Sequence, residues 1–503
     1  MSHNLYQLFR AHFSADRSRP MLHDAQNRAL TYAEVESSVS RMIGAFTAAG
    51  ARPGDRIAVQ VEKSPELLVL YFATLAGGFV FQPINPAYQE GELRDLLTDA
   101  EPALVVCEPP RAERIAALCP ARVLTLGIDG AGTLLEAAAA AMPVKAICDR
   151  AADDPAALLY SSGTTGKPKG AILTHGNLAS NGEALVQSWG FSSSDRLLHA
   201  LPLFHAHGLF VAVSCALLSG ARMRFLPRFD VASVLRFLPE ATVFMGVPTY
   251  YTRLLEEPGF GSHLCASIRL FVSGSAPLLA ETFNRFRAVT GHAILERYGM
   301  TETLMNSSNP LQGERVAGSV GLPLPGISMR IADSEDRALG EDEIGEIQVK
   351  GPNVCRGYWR NSAKTAEAFT KDGWFRTGDL GRRDARGYYF IVGRAKDLII
   401  SGGLNVYPKE VEDCIDGLDG VAESAVVGIN DTDFGEAVVA AVVRRSADPY
   451  PDELDVIRHV KARLANYKVP KQVRFLPKLP RNAMGKVEKA QLRKLFAPRS
   501  ART

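Results

Sequence analysis

Strand and helix signals alternate from residue 31 to residue 107, and each step carries its own start or stop residue. Thr31-Tyr-Ala-Glu34 is a capping box, and Val35, Met42, Ile43 and Phe46 follow it at helical spacing until Gly50. Pro53-Gly-Asp55 turns the chain into the apolar run 56–61. Ser64-Pro65-Glu66 then supplies an N-cap, a first-position proline and a first-turn acid for another helix. A strand over 79–84, an amphipathic helix over 90–97 and a strand over 103–107 repeat the cycle. Such alternation builds a largely parallel, doubly wound sheet, because parallel neighbours need a crossover and the crossover helix packs back on the sheet. The fold class expected is α/β. At 503 residues the chain exceeds what one core supports, so a large, subdivided domain and at least one smaller one are expected.

Residues 160–170 read Y-S-S-G-T-T-G-K-P-K-G, directly behind the apolar run 156–159. Glycines there let backbone N–H groups approach an anion, the hydroxyls donate, and Lys167 and Lys169 add positive charge. The spacing is not that of a Walker A loop: Gly163 and Gly166 are two residues apart, and Pro168 follows Lys167. By composition alone the stretch reads as a solvated linker; its place behind a strand argues for a phosphate loop instead.

Other segments bound the function. Lys and Arg number 57 against 55 Asp and Glu, which excludes a strongly basic nucleic-acid binder and leaves small molecules as the expected partners. Seven cysteines show no C-x-x-C pair and read as reduced packing residues. The longest apolar stretch, 208–221, is too short to span a bilayer, and no signal-peptide pattern opens the chain, so a soluble cytoplasmic protein is expected. Residues 111–155 are alanine-rich and weakly patterned, suggesting peripheral helices. His199, His205 and His207 sit in an apolar setting without a carboxylate or cysteine, so they read as pocket lining rather than a zinc site. Strands over 241–247 and 268–272 and helices over 249–255 and 279–289 resume the alternation. Short strands with Gly and Pro turns over 316–390 suggest a small β-barrel-like subdomain. Strands over 421–429 and 438–443, a helix over 454–464 and a basic tail over 468–489 close the pattern.

Six stretches in order resemble the adenylate-forming acyl-CoA synthetase superfamily over essentially the whole chain. They are the loop 160–170, G-S-A-P at 274–277, Y-G-M-T-E at 298–302, F-R-T-G-D-L at 375–380, G-R-A-K-D-L-I-I-S-G-G at 393–403 and P-R-N-A-M-G-K at 480–486. The resemblance implies a large adenylate-forming domain over 1–395 and a smaller, mobile α+β domain over 396–503. It also implies ATP, Mg²⁺ and CoA as cofactor and co-substrates in a two-step reaction through an acyl-adenylate. Ser161, Thr164, Thr165 and Lys169 would hold the β- and γ-phosphates, with Glu302 and Thr165 on Mg²⁺. Gly274, Ser275, Ala276 and Pro277 would shape the adenine slot, with Tyr298, Gly299, Met300 and Thr301 completing the nucleotide site and Tyr298 stacking on the base. Asp379 would accept from the ribose hydroxyls, and Arg394 would fix the ribose or phosphates. Lys486 would bridge the attacking carboxylate and the adenylate oxygens. Lys396 would be the hinge of the C-terminal domain, Ser401, Gly402 and Gly403 would border the pantetheine tunnel, and His205 would line or gate it. A lysine acetyltransferase acting on Lys486 would remove the charge that the first step requires.

Most members carry glycine immediately before Y-G-x-T-E, where this chain has Arg297. A guanidinium in an acyl pocket suits a second carboxylate and repels a fatty acid, and Arg253 would join it if its helix borders the pocket. With H-A-L-P-L-F-H-A-H-G-L-F and G-V-P-T-Y-Y-T-R-L-L, Arg297 resembles the malonate-activating members of the superfamily. Malonate is the substrate expected, and Ala206 and Met305 leave methylmalonate open. The alternatives are an Arg297 turned away into a structural ion pair, a synthetase for a monocarboxylic acid, and an adenylation module that loads a carrier protein.

Overall fold

The computed structural model of the protein describes residues 2–161, 169–401, 404–431, 434–445, 450–482 and 485–496. Contacts divide the chain into two compact units, Met1–Met329 with Val349–Phe375, and Arg330–Gln348 with Arg376–Thr503.

In the first unit the capping signals do what their chemistry dictates. Thr31 Oγ1 accepts from the Glu34 N–H at 3.2 Å while the Glu34 carboxylate accepts from the Thr31 N–H at 2.8 Å, which starts the helix Tyr32–Ala48. Ser64 caps the helix Pro65–Ala76 by accepting from the Leu67 N–H at 3.1 Å. That helix is buried on every side from Leu67 to Ala76, so its sequence is apolar all round rather than in a stripe.

Two α/β sheets follow. One has six strands in the order Arg122–Thr125, Leu104–Cys107, Arg56–Gln60, Val80–Pro83, Pro155–Ser161 and Lys169–Thr174, parallel except for the last pair. The strands that flank the glycine-rich loop are therefore an antiparallel hairpin, with Ser161 opposite Lys169. The edge strand Arg122–Thr125 gave no sequence signal: only its last two residues are buried, so no alternation marks it. Residues 111–155 otherwise supply the short helices Ala112–Ala116 and Thr133–Ala140.

The other sheet has nine strands, and Arg196–His199, Val243–Gly246, Leu270–Ser273 and Leu295–Met300 run parallel at its centre. Their carboxyl ends share one edge, the edge at which open α/β sheets bind ligands. A core of Phe244, Tyr251, Phe271 and Phe286, packed edge to face, backs these strands.

The strands Ser328–Ala332, Gly345–Lys350, Phe375–Arg383 and Tyr389–Arg394 form an open four-stranded path. The barrel-like subdomain expected from the short strands does not close. A five-stranded sheet carries Ile399–Ser401, Leu404–Val406, Val421–Asp431, Gly435–Arg444 and Gln472–Phe475, with the helices Pro408–Asp416 and Glu453–Lys461 packed on its valine face through Val411, Val456 and Val460. The strand Gln472–Phe475 lies in what reads as a basic tail, and only its Val473 is fully buried. All seven cysteines are free thiols. Among the described residues no helix is long and apolar enough to cross a membrane.

Candidate active site

Strand Leu270–Ser273 ends in a turn whose first residues are Gly274 and Ser275. Ser275 adopts a left-handed backbone, φ 72°, unusual for a residue with a Cβ and typical of ligand-facing turns. Buried Glu296 pins the turn by accepting from the Leu278 N–H at 3.0 Å. Ala276 is half-buried and Pro277 exposed. Ser275 Oγ lies 3.2 Å from Nδ1 of His207, the first residue of a π-helix, His207–Val213. Single π-turns of this kind often mark functional sites. Burial, then the nearby Arg297 charge, holds His207 well below the usual histidine range, so its ring is neutral.

Arg297 stands in strand Leu295–Met300, opposite Ser308 on the antiparallel neighbour Leu304–Ser308. It is 3% exposed, and its Nε and Nη2 have no hydrogen-bond partner among the described residues. No carboxylate forms an ion pair with it there, so the structural ion-pair alternative finds no partner. Burial pushes its pKa down to about 10, which still leaves a cation at neutral pH. The guanidinium lies flat against Gly274: a Cβ at that position would stand 2.4 Å from Cζ of Arg297. Arg253, on helix Pro248–Leu255, is exposed. Its charge acts on Tyr250, whose phenol burial pushes up to about 12, whereas Arg297 feels Tyr251, Cys215 and Glu296. Ala206 and Met305 are both buried, and Asn181 clamps the Met305 backbone through both its amide groups, at 2.7 and 3.2 Å. His205 is half-buried.

Tyr298 is buried, and Gly299, Met300 and Thr301 are half-buried in the hairpin that follows. A Cβ on Gly299 would meet Leu304 O at 1.9 Å, so only glycine lets this hairpin close. Glu302 is buried at its tip and accepts from the Tyr358 hydroxyl at 3.2 Å. Lys169 Nζ sits over the same Tyr358 ring, 5.5 Å from its centre. Tyr358 thus touches both the loop's exit strand and Glu302. Sequence reasoning missed it because G-Y-W at 357–359 shows neither periodicity nor charge. Thr164 and Thr165 lie outside the described residues, as does the side chain of Ser161.

In the second unit Asp379 is buried, and Arg394, its cross-strand partner, donates from Nε to its carboxylate at 2.9 Å. Lys396 is exposed in a single turn, Ala395–Asp397, and Ser401 is buried at the end of its strand. Gly402 and Gly403 lie outside the described residues. Lys486 is exposed in a tight turn: Asn482 Oδ1 accepts from its N–H at 3.1 Å, and Gly485 before it takes φ 75°. Lys489, the neighbouring candidate on charge alone, is committed elsewhere, donating to Glu412 at 3.0 Å and to the Val426 carbonyl at 3.1 Å.

The profile of AMP-binding enzymes matches residues 9–359, and that of their C-terminal domain residues 410–486. The chain belongs to the AMP-binding enzyme family. A malonate–CoA ligase of Arabidopsis thaliana is 36% identical over 88% of this chain and 78% of its own. A feruloyl-CoA synthase of Amycolatopsis is 37% identical over 93% of this chain and 94% of its own. The crystal structure of ATP-bound MatB from Rhodopseudomonas palustris is 50% identical, covers 99% of both chains and superposes with a TM-score of 0.96. As an AMP-binding enzyme the chain takes a nucleotide, an acid and a thiol as small-molecule partners.

Proposed function

We propose that the protein joins malonate to CoA using ATP, through a malonyl-adenylate, with release of AMP and pyrophosphate. The MatB structure, 50% identical, stands above both the malonate–CoA ligase at 36% and the feruloyl-CoA synthase at 37%, and the chemistry of the pocket bears on the acid as well. The observation that carries the reading is Arg297: a sealed cation whose Nε and Nη2 lack any protein acceptor among the described residues. A buried charge of that kind is costly unless a ligand pairs with it, and the two nitrogens match the two oxygens of a carboxylate. Arg253, exposed on its helix, would join Arg297 on that carboxylate only where the helix borders the pocket.

One malonate carboxylate is thereby held, and the other attacks the α-phosphorus of ATP. A phosphorus–oxygen bond forms, the bond to the β-phosphate oxygen breaks, and pyrophosphate leaves with the electron pair. Lys486 stabilises the charge that gathers on the attacking and phosphoryl oxygens. Lys169, with Ser161, Thr164 and Thr165, holds the β- and γ-phosphates. The adenine lies between Tyr298 and the turn 274–277, bordered by Gly299, Met300 and Thr301. Asp379 and Arg394 hold the ribose. Glu302 and Thr165 offer the hard oxygen donors that Mg²⁺ takes, with Tyr358 fixing the Glu302 carboxylate. Mg²⁺ bound there neutralises phosphate charge. In the second step the CoA thiol gives up its proton and its sulfur attacks the acyl carbon, expelling AMP. Ser401, Gly402 and Gly403 line the approach, His205 borders it, and the chain turns about Lys396 between the steps. Acetylation of exposed Lys486 by a lysine acetyltransferase abolishes the first step.

The test mixes protein, ATP, Mg²⁺ and malonate without CoA. Pyrophosphate and a bound malonyl-adenylate are expected, converted to malonyl-CoA and AMP when CoA is added. Absence of pyrophosphate refutes the reading, and an adenylate that CoA does not consume points to carrier-protein loading.

A further inference from the structure

Lys63 stands between the end of strand Arg56–Gln60 and Ser64, the N-cap of the next helix, and it is 5% exposed. Its Nζ donates to the His199 carbonyl at 2.9 Å, lies 2.7 Å from His199 Nδ1, and sits over the Phe225 ring, 4.2 Å from its centre. On the far side of the imidazole, His199 Nε2 is 2.9 Å from the Gly208 carbonyl. A carbonyl only accepts, so Nε2 carries the hydrogen; Nδ1 is then a lone pair that only a donor can meet, and Lys63 is that donor. Burial, then the Lys63 charge, holds His199 well below the usual histidine range, which agrees with a neutral ring. The lysine therefore sets one tautomer of His199.

The bond so fixed ends on the first turn of the π-helix. The preceding turn is closed tightly enough that a Cβ on Gly208 would stand 1.9 Å from the Pro202 carbonyl oxygen. That turn carries His205 and Ala206 and delivers His207 to Ser275, beside the Gly274 on which Arg297 lies. An apolar pair would fill the same space without desolvating an amine and an imidazole, so packing alone does not account for the choice.

We infer that Lys63 is a positioning residue for the acid pocket, acting through His199 on the turn that carries Ala206 and His207; the inference rests on the malonate reading above. A wall displaced by about 1 Å costs roughly a hundredfold, so a partial shift should raise the KM for malonate about tenfold. The ATP KM should move less than the malonate KM, because the shifted turn meets the nucleotide site only through the His207–Ser275 contact.

Steady-state AMP release by wild type, K63M and the double variant K63M/H199F, with malonate and acetate, tests this. K63M alone leaves His199 Nδ1 unpaired and is expected to lower the melting temperature. The double variant replaces both partners by apolar side chains of similar shape and should recover stability. A positioning role predicts that it still shows the raised malonate KM and a malonate-over-acetate preference narrowed about tenfold. A folded double variant with wild-type KM and preference overturns the inference. Should neither variant fold, imidazole ¹⁵N spectra of the wild-type protein decide: the Nε2–H tautomer of His199 supports the inference, and the Nδ1–H tautomer overturns it. A wild type led by an acid other than malonate sinks the malonate reading instead, and the variants are then compared on that acid.

Discussion

Replacing Arg297 by methionine should stabilise the free protein while disabling it toward malonate. The guanidinium is sealed in unit one with Nε and Nη2 unpartnered among the described residues, and burial lowers its pKa from the usual arginine range to about 10. That displacement corresponds to about 3 kcal/mol against the charged form. Methionine keeps a flexible side chain in the same space and removes the charge, which should return about 1–3 kcal/mol of stability. For a unit of this size the melting temperature should rise by roughly 2 °C per kcal/mol, hence about 2–6 °C. Catalysis should move the other way. Breaking a buried carboxylate–guanidinium pair costs about 3–5 kcal/mol, or two to three and a half orders of magnitude in kcat/KM for malonate. Differential scanning fluorimetry with and without malonate, alongside AMP release, reads both effects. Malonate should raise the wild-type melting temperature and leave the variant unmoved. A variant that melts lower and keeps malonate kinetics would refute the reasoning, because the guanidinium would then serve the fold.

Three further outcomes follow from the same geometry. G274A places a Cβ 2.4 Å from Arg297 Cζ and should cost about tenfold or more in malonate kcat/KM, but little more when added to R297M, where the planar group is gone; additive losses in the double-mutant cycle would deny the contact its role. His175 accepts from the Leu5 N–H at 3.1 Å and is held neutral, its pKa lowered from 6.5 to about 4 by burial and then by Arg150. Between those values the unfolded chain binds a proton the folded one refuses, so stability should fall on acidification below pH 6.5. The loss reaches about 3 kcal/mol near pH 4; H175N should flatten this part of a urea-melt profile, and an unchanged slope would contradict it. K486A should lose about a hundredfold or more in adenylation, whereas K489M, which breaks the Glu412 and Val426 contacts, should chiefly lower the melting temperature. The reverse pattern would exchange the roles of the two lysines.

Much of this protein was legible in the sequence because local chemistry decides it. Thr31 with Glu34, and Ser64 with Pro65, mark helix starts whatever surrounds them. Segments whose existence depends on a neighbour were not legible. Arg122–Thr125 and Gln472–Phe475 are strands because Leu104–Cys107 and Gly435–Arg444 offer them an edge. Short strands over 316–390 have the same period whether the sheet closes or stays open, so the expected barrel was an over-reading. At the site, Arg297 announced itself as a charge where glycine was expected. Its unpartnered nitrogens and its contact with Gly274 arise only when strands Leu270–Ser273 and Leu295–Met300 lie side by side. Lys63 had a weak signal, a lysine just past the carboxyl end of a parallel strand, but its partner His199 is 136 residues away. Tyr358 had none.

The most direct test of the central claim is the kcat/KM of the purified protein, with ATP, Mg²⁺ and CoA, for malonate, methylmalonate, succinate, acetate, butyrate and benzoate. Malonate is predicted to lead the monocarboxylates by about tenfold or more, as one buried bidentate carboxylate contact requires, with the rank of methylmalonate measuring the room beside Ala206 and Met305. A monocarboxylate in the lead would contradict the account: the family would stand, and Arg297 would no longer be the clamp for a second carboxylate.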